Sequence, residues 1–279
     1  MMKTSHIFTI VCIAGGLLTF TIAEAQLLKK IGKSITKKVE DRFEKEADKA
    51  MDKILGEDTG VPGSGASDDP LRELPPTVYD FTPGTTVIFE DDFNNDAVGS
   101  MARKWRSNGS GTIAAAEHGG AEQWFQLTSG NIYRIANLEE LPENFTVEFD
   151  LITRCEDADK IYGGSFGLTR DNQTSGDGWN QSIAAVGFGW WSGNPVKFSS
   201  ESGDKKSLGF PMKNYARRTM RVEIQITNGN WMKVYFDKYK ILDTDMMYAD
   251  SPKYFYITAP KPDGKYDRTY IDNVRISAL

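Results

Sequence analysis

Apolar and polar residues alternate with a period of two through much of the chain after residue 85. The segments 145–151 and 220–227 both show this alternation. Because successive strand residues point to opposite faces, each is predicted to be a strand with one buried and one exposed face. The second segment runs into Asn228-Gly229, a pair that favours a two-residue hairpin turn. About a dozen such short strands, without a convincing helix among them, predict an all-β sandwich or jelly roll.

The first and last strands of this region are predicted to be neighbours. Val87–Phe93 opens the region and Tyr270–Ile276 closes it. Both are β-branched and aromatic runs interrupted by acidic or amide side chains. The terminal strands of antiparallel sandwiches often pair with each other. The pairing would place a cluster of carboxylates where the two strands meet.

The N-terminal third has a different pattern. Residues 1–25 begin with Lys3, continue as an apolar run and end in Ala23-Glu24-Ala25, which predicts a cleaved signal peptide. Residues 26–55 carry apolar side chains at steps of three and four, which predicts one amphipathic α-helix. Residues 56–84 are rich in Gly, Pro and Ser and are predicted to be a flexible linker. The sandwich domain then occupies residues 85–279.

Charge and composition limit the kinds of partner and the kinds of site that this protein is expected to have. The net charge is −6, and loss of residues 1–25 leaves it unchanged because Lys3 and Glu24 cancel. A mildly acidic exported protein is a poor nucleic-acid binder. Cleavage leaves Cys155 and His118 as single residues of their types, so no internal disulfide, zinc site or strong catalytic triad is expected. The expected location is the periplasm, the outer-membrane surface or the exterior. The helix within residues 27–55 has two interpretations: it is a solvated helix that docks on the domain or pairs with another helix by self-association, or it lies on an anionic membrane surface.

Three segments resemble the concanavalin A-like lectin/glucanase superfamily of laminin-G-like jelly rolls. They are the opening Phe89-Glu-Asp-Asp-Phe93 with Trp105 after it, the hairpin at 221–237, and the closing Tyr270-Ile-Asp-Asn-Val-Arg-Ile276. With the signal peptide and helix, the chain is similar to exported proteins of Gram-negative bacteria, some of which carry this domain ahead of an OmpA-like domain. One departure is Lys238, where the family often has Gly. The resemblance implies the fold of residues 85–279 and leaves function open, since such sandwiches host lectins, hydrolases and scaffolds.

A catalytic hypothesis rests on two carboxylates. Laminarinase-like members of this superfamily place Glu-x-Asp-x-x-Glu or Glu-x-Asp-x-Glu on one strand, so that alternate side chains enter the cleft. Glu148-Phe149-Asp150 begins this pattern, but Ile152 and Thr153 stand where the second Glu belongs. Glu148 and Asp150 are therefore the candidate catalytic residues. The alternative is that they form the polar face of a half-buried strand.

A metal hypothesis rests on the paired terminal strands. Jelly-roll carbohydrate-binding modules that resemble this chain often hold a structural calcium there, and Ca²⁺ prefers oxygen ligands. The candidate ligands are Glu90, Asp91, Asp92, Asp272 and Asn273. The alternative is that these residues mark strand ends and bulges. No cofactor is required in either case.

A sugar-binding hypothesis rests on the strand predicted at 182–191. One face carries Gly187, Gly189 and Trp191 beside Ala185, and glycine in a strand commonly marks close approach by a ligand or another backbone. A floor of small residues with an aromatic rim suits a sugar ring, whose C–H face packs on indole. Trp179 and Asn180 precede the strand and would join the rim. The alternative is that these tryptophans belong to the core.

The sequence therefore favours an exported, non-catalytic carbohydrate-binding or cell-envelope scaffold domain whose partner is a glycan or another envelope component. One alternative is a glycan-processing enzyme, laminarinase-like or similar to the keto-sugar hydrolases of this superfamily, that uses Glu148 and Asp150. A second alternative is a structural envelope protein that acts through its N-terminal helix.

Overall fold

A computed structural model describes residues 71, 74–115, 123–154, 164–189, 195–216, 218–261 and 268–279. The predicted signal peptide and amphipathic helix lie outside the described residues, as do Trp191, Cys155 and His118. In chain order, the strands and helices are β1 Thr86–Asp91, β2 Trp105–Ser107, β3 Gly111–Ala115, β4 Gln123–Leu127, β5 Ile132–Ile135, β6 Phe145–Arg154, β7 Gly164–Thr169, α1 Gly178–Gln181, β8 Ser182–Phe188, β9 Pro195–Ser200, β10 Lys205–Gly209, a 3-10 helix Met212–Tyr215, β11 Thr219–Thr227, β12 Trp231–Phe236, β13 Tyr239–Asp245, β14 Tyr254–Thr258 and β15 Arg268–Ala278.

The described strands form two antiparallel sheets. The first sheet has the order β13-β12-β11-β6-β15-β4-β3, with β1 also paired to β15. The second has the order β10-β9-β8-β7-β14-β5-β2. Alternate residues of β6 and β11 are buried between the sheets, including Phe149, Leu151 and Val222. The all-β sandwich predicted from the period-two pattern is confirmed.

The terminal strands are neighbours, as predicted. Val87 lies opposite Ser277, and Asp91 lies opposite Val274. The first half of β15 pairs instead with β4, through Thr269 to Ile271. Between these two partners the register against β6 shifts, and Asn273 takes a φ of 49°. Asn tolerates this left-handed conformation, so Asp272-Asn273 marks the bulge at which β15 changes neighbours.

Two hairpin turns connect β11, β12 and β13, the three strands at one edge of the first sheet. In the β11–β12 turn, Asn228 and Gly229 have φ values of 54° and 70°, which is the geometry that an Asn-Gly pair favours. In the β12–β13 turn, Asp237 and Lys238 have φ values of 46° and 70°. The turn therefore keeps the twist of a two-residue hairpin without the usual glycine at position 238.

Residues 77–84, which we call the N-terminal strap, lie across the outer face of the first sheet. Tyr79 and Phe81 each pack edge-on against Tyr235, with ring centroids 5.4 and 5.8 Å away. Asp80 accepts hydrogen bonds from Lys233 and from the Tyr235 hydroxyl, at 2.6 and 2.7 Å. The end of the segment predicted to be linker is thus attached to the sandwich.

None of the helices within the described ranges is long and apolar enough to cross a membrane.

Candidate functional site

A pocket of about 220 Å³ opens at one edge of the sandwich. It lies where the β9–β10 hairpin of the second sheet faces the β11–β12 turn of the first sheet and the β13–β14 loop, which joins the two sheets. Its floor is apolar: Phe198, Met246 and Met247 line it and are nearly buried. Ser200 follows Phe198 on the same face of β9, because strand side chains alternate. The inward-facing series therefore changes from apolar to polar at the mouth of the pocket.

The rim of the pocket is polar. Its polar lining residues are Ser200, Ser202, Asp204, Lys206, Asn230, Asp245 and Tyr248. Lys206 lies directly opposite Phe198 on the edge strand β10, so it shares the inward face, where a charge also hinders pairing by a further strand. The rim combines carboxylate acceptors, amide and ammonium donors and hydroxyl groups.

The tip of the β9–β10 hairpin is held by its own hydrogen bonds. The Ser200 backbone N–H donates to the Asp204 carbonyl at 3.0 Å, and the Asp204 N–H donates to the Ser200 hydroxyl oxygen at 3.1 Å. Gly203 has a φ of 87°, which non-glycine residues rarely adopt. The Ser202 hydroxyl donates to an Asp204 carboxylate oxygen at 3.0 Å, so the orientation of Asp204 toward the pocket is constrained.

Glu201 joins this hairpin to the β13–β14 loop. Its carboxylate accepts from the Tyr248 backbone N–H at 2.8 Å and from the Ser251 hydroxyl at 2.8 and 2.9 Å. It also pairs with Arg170. On the other side of the loop, the buried Lys253 ammonium donates to the Ala249 and Ser251 carbonyls at 3.0 and 2.6 Å. The backbone that presents Tyr248 is therefore fixed at both ends.

Two aromatic side chains are exposed at this edge. Tyr248 lines the pocket and is 57% exposed. Trp231 is 40% exposed and lies directly opposite Asp245, another lining residue. The Trp231 indole N–H donates to Asp243 at 2.7 Å, which fixes the orientation of its ring. One exposed aromatic side chain therefore lines the pocket, and a second lies beside a lining residue on the outer face of the first sheet.

The residues of the predicted sugar-binding face come together in part, on the outer face of the second sheet. A Cβ atom added to Gly187 would lie 2.7 Å from the Trp179 ring, so the indole covers the small residue instead of leaving it open. Asn180 donates to Asp177, the N-cap of α1, at 2.8 Å. Gly189 is buried, and Trp191 lies outside the described residues. At position 187 the space left by glycine is filled by the protein itself.

The two candidate catalytic carboxylates share one arginine. Arg221 donates through Nη2 to Glu148 at 3.1 Å and through Nη1 to Asp150 at 3.2 Å. The Asn273 amide donates to the second Asp150 oxygen at 2.8 Å. Both carboxylates lie on the outer face of the first sheet, away from the edge pocket. Their contacts are those of a structural ion-pair network.

Glu223 lies opposite Glu148 in this network and accepts the Tyr79 hydroxyl at 2.8 Å. Burial raises the pKa of Glu223 above its ordinary value of 4.5, and the charge of Glu148 adds to the effect. Burial also raises the pKa of Tyr79 to about 12. The folded state holds the Glu223 proton more tightly than the unfolded state. The contribution of Glu223 to the free energy of unfolding is therefore fully present below about pH 4.5, and it is lost as the pH rises through the higher folded pKa.

The variant Glu223→Gln is therefore expected to lose part of this pH dependence and to be at least as stable as the parent at pH 7. Glutamine keeps an oxygen for Tyr79 but carries no charge to desolvate. Urea unfolding between pH 4 and pH 8 measures the effect, with the exposed Glu90→Gln as the control. If the free energy of unfolding of Glu223→Gln depends on pH as steeply as that of the parent, the pKa of Glu223 is not raised in the folded state.

Two of the candidate metal ligands, Asp91 and Asp92, make contacts with neighbouring residues of the protein. Asp91 accepts the Trp105 indole N–H at 3.1 Å, and Lys104 lies 3.4 Å from its other oxygen. Asp92 caps the turn that follows by accepting the Asn94 N–H at 3.2 Å. Asp272 lies directly opposite Asp150 on β6, the strand that pairs with the other edge of β15. In the parts of the chain that the structure describes, no group of three or more His, Cys, Asp or Glu side chains is arranged to hold a metal ion, and a calcium site at the terminal strands stays a prediction.

No protein-family model matches the chain, and no curated protein matches its sequence. Solved structures match its fold. The globular domain of T. cruzi calreticulin gives a TM-score of 0.50 at 13% identity, over 70% of this chain and 89% of that one. The Emp47p carbohydrate recognition domain gives 0.49 at 12% identity, over 68% and 94%. The VIP36 exoplasmic/lumenal domain, in a form bound to Ca²⁺ and Man3GlcNAc, gives 0.45 at 11% identity, over 63% and 86%.

The sheet order and the calreticulin match agree with the resemblance found in the sequence. The chain folds as a concanavalin A-like jelly roll. At these identities the likeness extends to the fold only, and the chemistry has to be argued from this chain's own residues.

The pocket of this jelly roll was not predicted from the sequence. One signal was present: the alternation along β12 places Trp231 with Lys233 on the polar face, where a large apolar side chain is unusual. Tyr248 lies in a loop without any periodic pattern. Because the pocket is assembled from three separate connections, its residues become neighbours only once the sheets have formed.

Proposed function

We propose that this jelly roll is a non-catalytic carbohydrate-binding domain, and that a sugar ring binds in the edge pocket. The observation that carries the proposal is the pocket's composition. An apolar floor, an exposed Tyr248 and a rim of carboxylate, amide and hydroxyl groups occur together in one cavity. Sites for small polar ligands combine apolar walls with a few convergent polar groups in this way.

Each part of the pocket matches a part of a sugar. The C–H face of a pyranose packs on an aromatic ring, which Tyr248 offers at the mouth. Sugar hydroxyls both donate and accept hydrogen bonds. Asp204 and Asp245 would accept from them, and the Asn230 amide, which makes no side-chain hydrogen bond to the described residues, can do both. The loop contacts made by Glu201 keep these groups in place before the ligand arrives, which reduces the entropy cost of binding.

The absence of catalysis is part of the proposal. Glycoside hydrolysis requires a carboxylic acid kept protonated by burial beside a second carboxylate. The pocket's carboxylates, Asp204 and Asp245, are both exposed. Glu148 and Asp150 face away from the pocket and are held by Arg221. These arrangements support binding without turnover.

We place the domain outside the cytoplasm, exported by a cleaved signal peptide at residues 1–25 and attached to or near the cell envelope. The support is the sequence of residues 1–25 and the charged amphipathic pattern of residues 27–55. A glycan of the envelope or of the surroundings is then the partner, and the binding mode needs no cofactor.

A glycan array probed with the mature chain, residues 26–279, tests the proposal. We expect selective glycan binding that Tyr248→Ala weakens about tenfold, or about 1.4 kcal/mol, because the ring contact is lost. Val98→Ala, an exposed change near the opposite edge of the first sheet, is the matched control and should bind as the parent does. Bound oligosaccharides should be recovered intact. The proposal fails if the folded protein binds no glycan, if it hydrolyses its ligand, or if Tyr248→Ala binds normally.

A further inference from the structure

Trp231, the second exposed aromatic residue at this edge, lies next to the pocket on one side. Trp231 on β12 and Asp245 on β13 are directly paired, and directly opposite residues of antiparallel strands have Cα atoms about 4.5–5.5 Å apart with side chains on the same face. Asp245 lines the pocket. Trp231 therefore lies immediately beside the pocket, outside it, on the outer face of the first sheet.

Trp231 differs from the other large apolar side chains of β12 in its exposure. The buried side chains of β12 are Met232, Val234 and Phe236 on the inner face, with Tyr235 on the outer face under the strap, whereas Trp231 is 40% exposed. The indole is nevertheless fixed: Asp243 accepts its N–H at 2.7 Å, and Lys240 donates to the other Asp243 oxygen at 2.7 Å. A solvent-exposed ring held in one orientation is a preorganised platform for a flat apolar surface.

The size of the pocket limits what enters it. Its volume of about 220 Å³ is below the range of about 300–1,000 Å³ typical of pockets for drug-sized ligands. One pyranose ring is the unit that fits this scale, and a longer chain must leave the pocket. The remaining chain then crosses an adjacent surface, and the aromatic surface beside the pocket is Trp231.

The charges around this path favour a neutral chain. Asp204 and Asp245 line the pocket and Asp243 lies beside the indole, while Lys206 contributes one positive charge. Lys233 and Lys240 are paired with Asp80. A glycan that carries uronate or sulfate groups would meet more negative than positive charge, and burying such unpaired charges is costly.

We propose that the domain recognises the terminal unit of a neutral oligosaccharide, with that unit in the pocket and the next unit stacked on Trp231. This inference rests on the proposed function, because it assigns two subsites to the same site. It names Trp231 as the residue that distinguishes an oligosaccharide from a monosaccharide.

Titration calorimetry with defined probes tests the two subsites. The probes are the methyl glycosides of glucose, galactose, mannose and N-acetylglucosamine, and their linear homo-oligomers of two to four units. For the sugar that binds, we expect the dimer to bind about tenfold more tightly than the monosaccharide. Trp231→Ala should abolish that gain and leave monosaccharide affinity unchanged, Trp231→Phe should keep most of it, and Tyr248→Ala should weaken both ligands.

Stoichiometry and charge provide independent readouts. Terminal recognition predicts that the number of protein molecules bound per oligosaccharide chain does not rise as the chain grows from two to four units. Oligomers that contain uronate should bind more weakly than the neutral ones. If no probe binds to the folded protein, the proposed function itself fails. If oligosaccharides bind but Trp231→Ala has no effect, or if several proteins bind along one chain, only the two-subsite inference is wrong.

Discussion

Deletion of residues 26–84 from the mature chain is expected to lower its free energy of unfolding by about 3–5 kcal/mol, the scale of losing large buried aromatic contacts. Deletion of residues 26–70 should leave stability nearly unchanged. The larger deletion removes the N-terminal strap, and with it Tyr79 and Phe81, whose rings cover Tyr235. Tyr235 is completely buried in the intact domain, so the deletion would expose its ring and leave its hydroxyl without Asp80.

Ionic contacts reinforce this attachment. Hydrogen bonds from Lys233, Lys240 and the Tyr235 hydroxyl hold the pKa of Asp80 well below its ordinary value of 3.8. A carboxyl whose folded pKa is lowered stabilises the fold above its unfolded pKa, and that contribution disappears as the pH falls through the folded value. The strap is therefore expected to stay attached through the neutral range and to weaken only in strong acid.

Urea unfolding of the two deletion variants measures the difference, and the single substitution Asp80→Ala separates the ionic part from the aromatic part. Asp80→Ala should lose a smaller amount than the deletion of residues 26–84, because the rings of Tyr79 and Phe81 remain. Equal stability of the two deletion variants would show that the strap contributes nothing. A large loss in the shorter deletion would show that residues 26–70 pack on the sandwich, contrary to the tether expected from their sequence.

The strands that the sequence predicted well are those with strict alternation over many residues. β6 and β11 lie where the pattern placed them, because each has one face buried in a core that accepts only apolar side chains. β10, with the sequence Lys-Lys-Ser-Leu-Gly, was not predicted, because a short edge strand has little buried surface to impose a pattern. β3 was missed as well, since small residues such as Ala114 and Ala115 carry little β propensity.

The candidate sites show a different limit. The sequence predicted that Gly187 and Trp179 lie close together, and in the structure the Trp179 ring packs on Gly187. The pattern of small and aromatic residues is the same whether a ligand or the protein's own indole fills the space. The pairing of β1 with β15 was predicted correctly, but it sets Glu90 opposite Arg275 and Asp91 opposite Val274, and Asp272 pairs with β6 instead. The partners of individual carboxylates, such as Trp105 for Asp91 on β1 and Arg221 for Asp150 on β6, depend on side-chain orientation across strands, which composition does not encode.

Arg221→Met is expected to destabilise the domain by about 3 kcal/mol, because it leaves carboxylates that are mostly buried without their positive partner. The Glu148 and Asp150 side chains are only 13% and 19% exposed, and Glu223 adds a third acidic group next to them. Methionine keeps much of the arginine's length and apolar stem, so packing changes little and the loss reports mainly the charge.

The rescue variant makes this prediction specific. Adding Glu148→Gln and Asp150→Asn to Arg221→Met removes the two unpaired negative charges, and most of the lost stability should return. Neutral side chains at all three positions destabilise the fold far less than two buried carboxylates without their arginine. Urea unfolding of the parent, the single variant and the triple variant at pH 7 measures both steps. If Arg221→Met is as stable as the parent, or if the triple variant shows no recovery, the carboxylates are not held by Arg221. Glycan binding at the edge pocket should be unchanged in the folded triple variant, because these residues act on stability and lie away from the ligand; a loss of binding there would return Glu148 and Asp150 to the functional site.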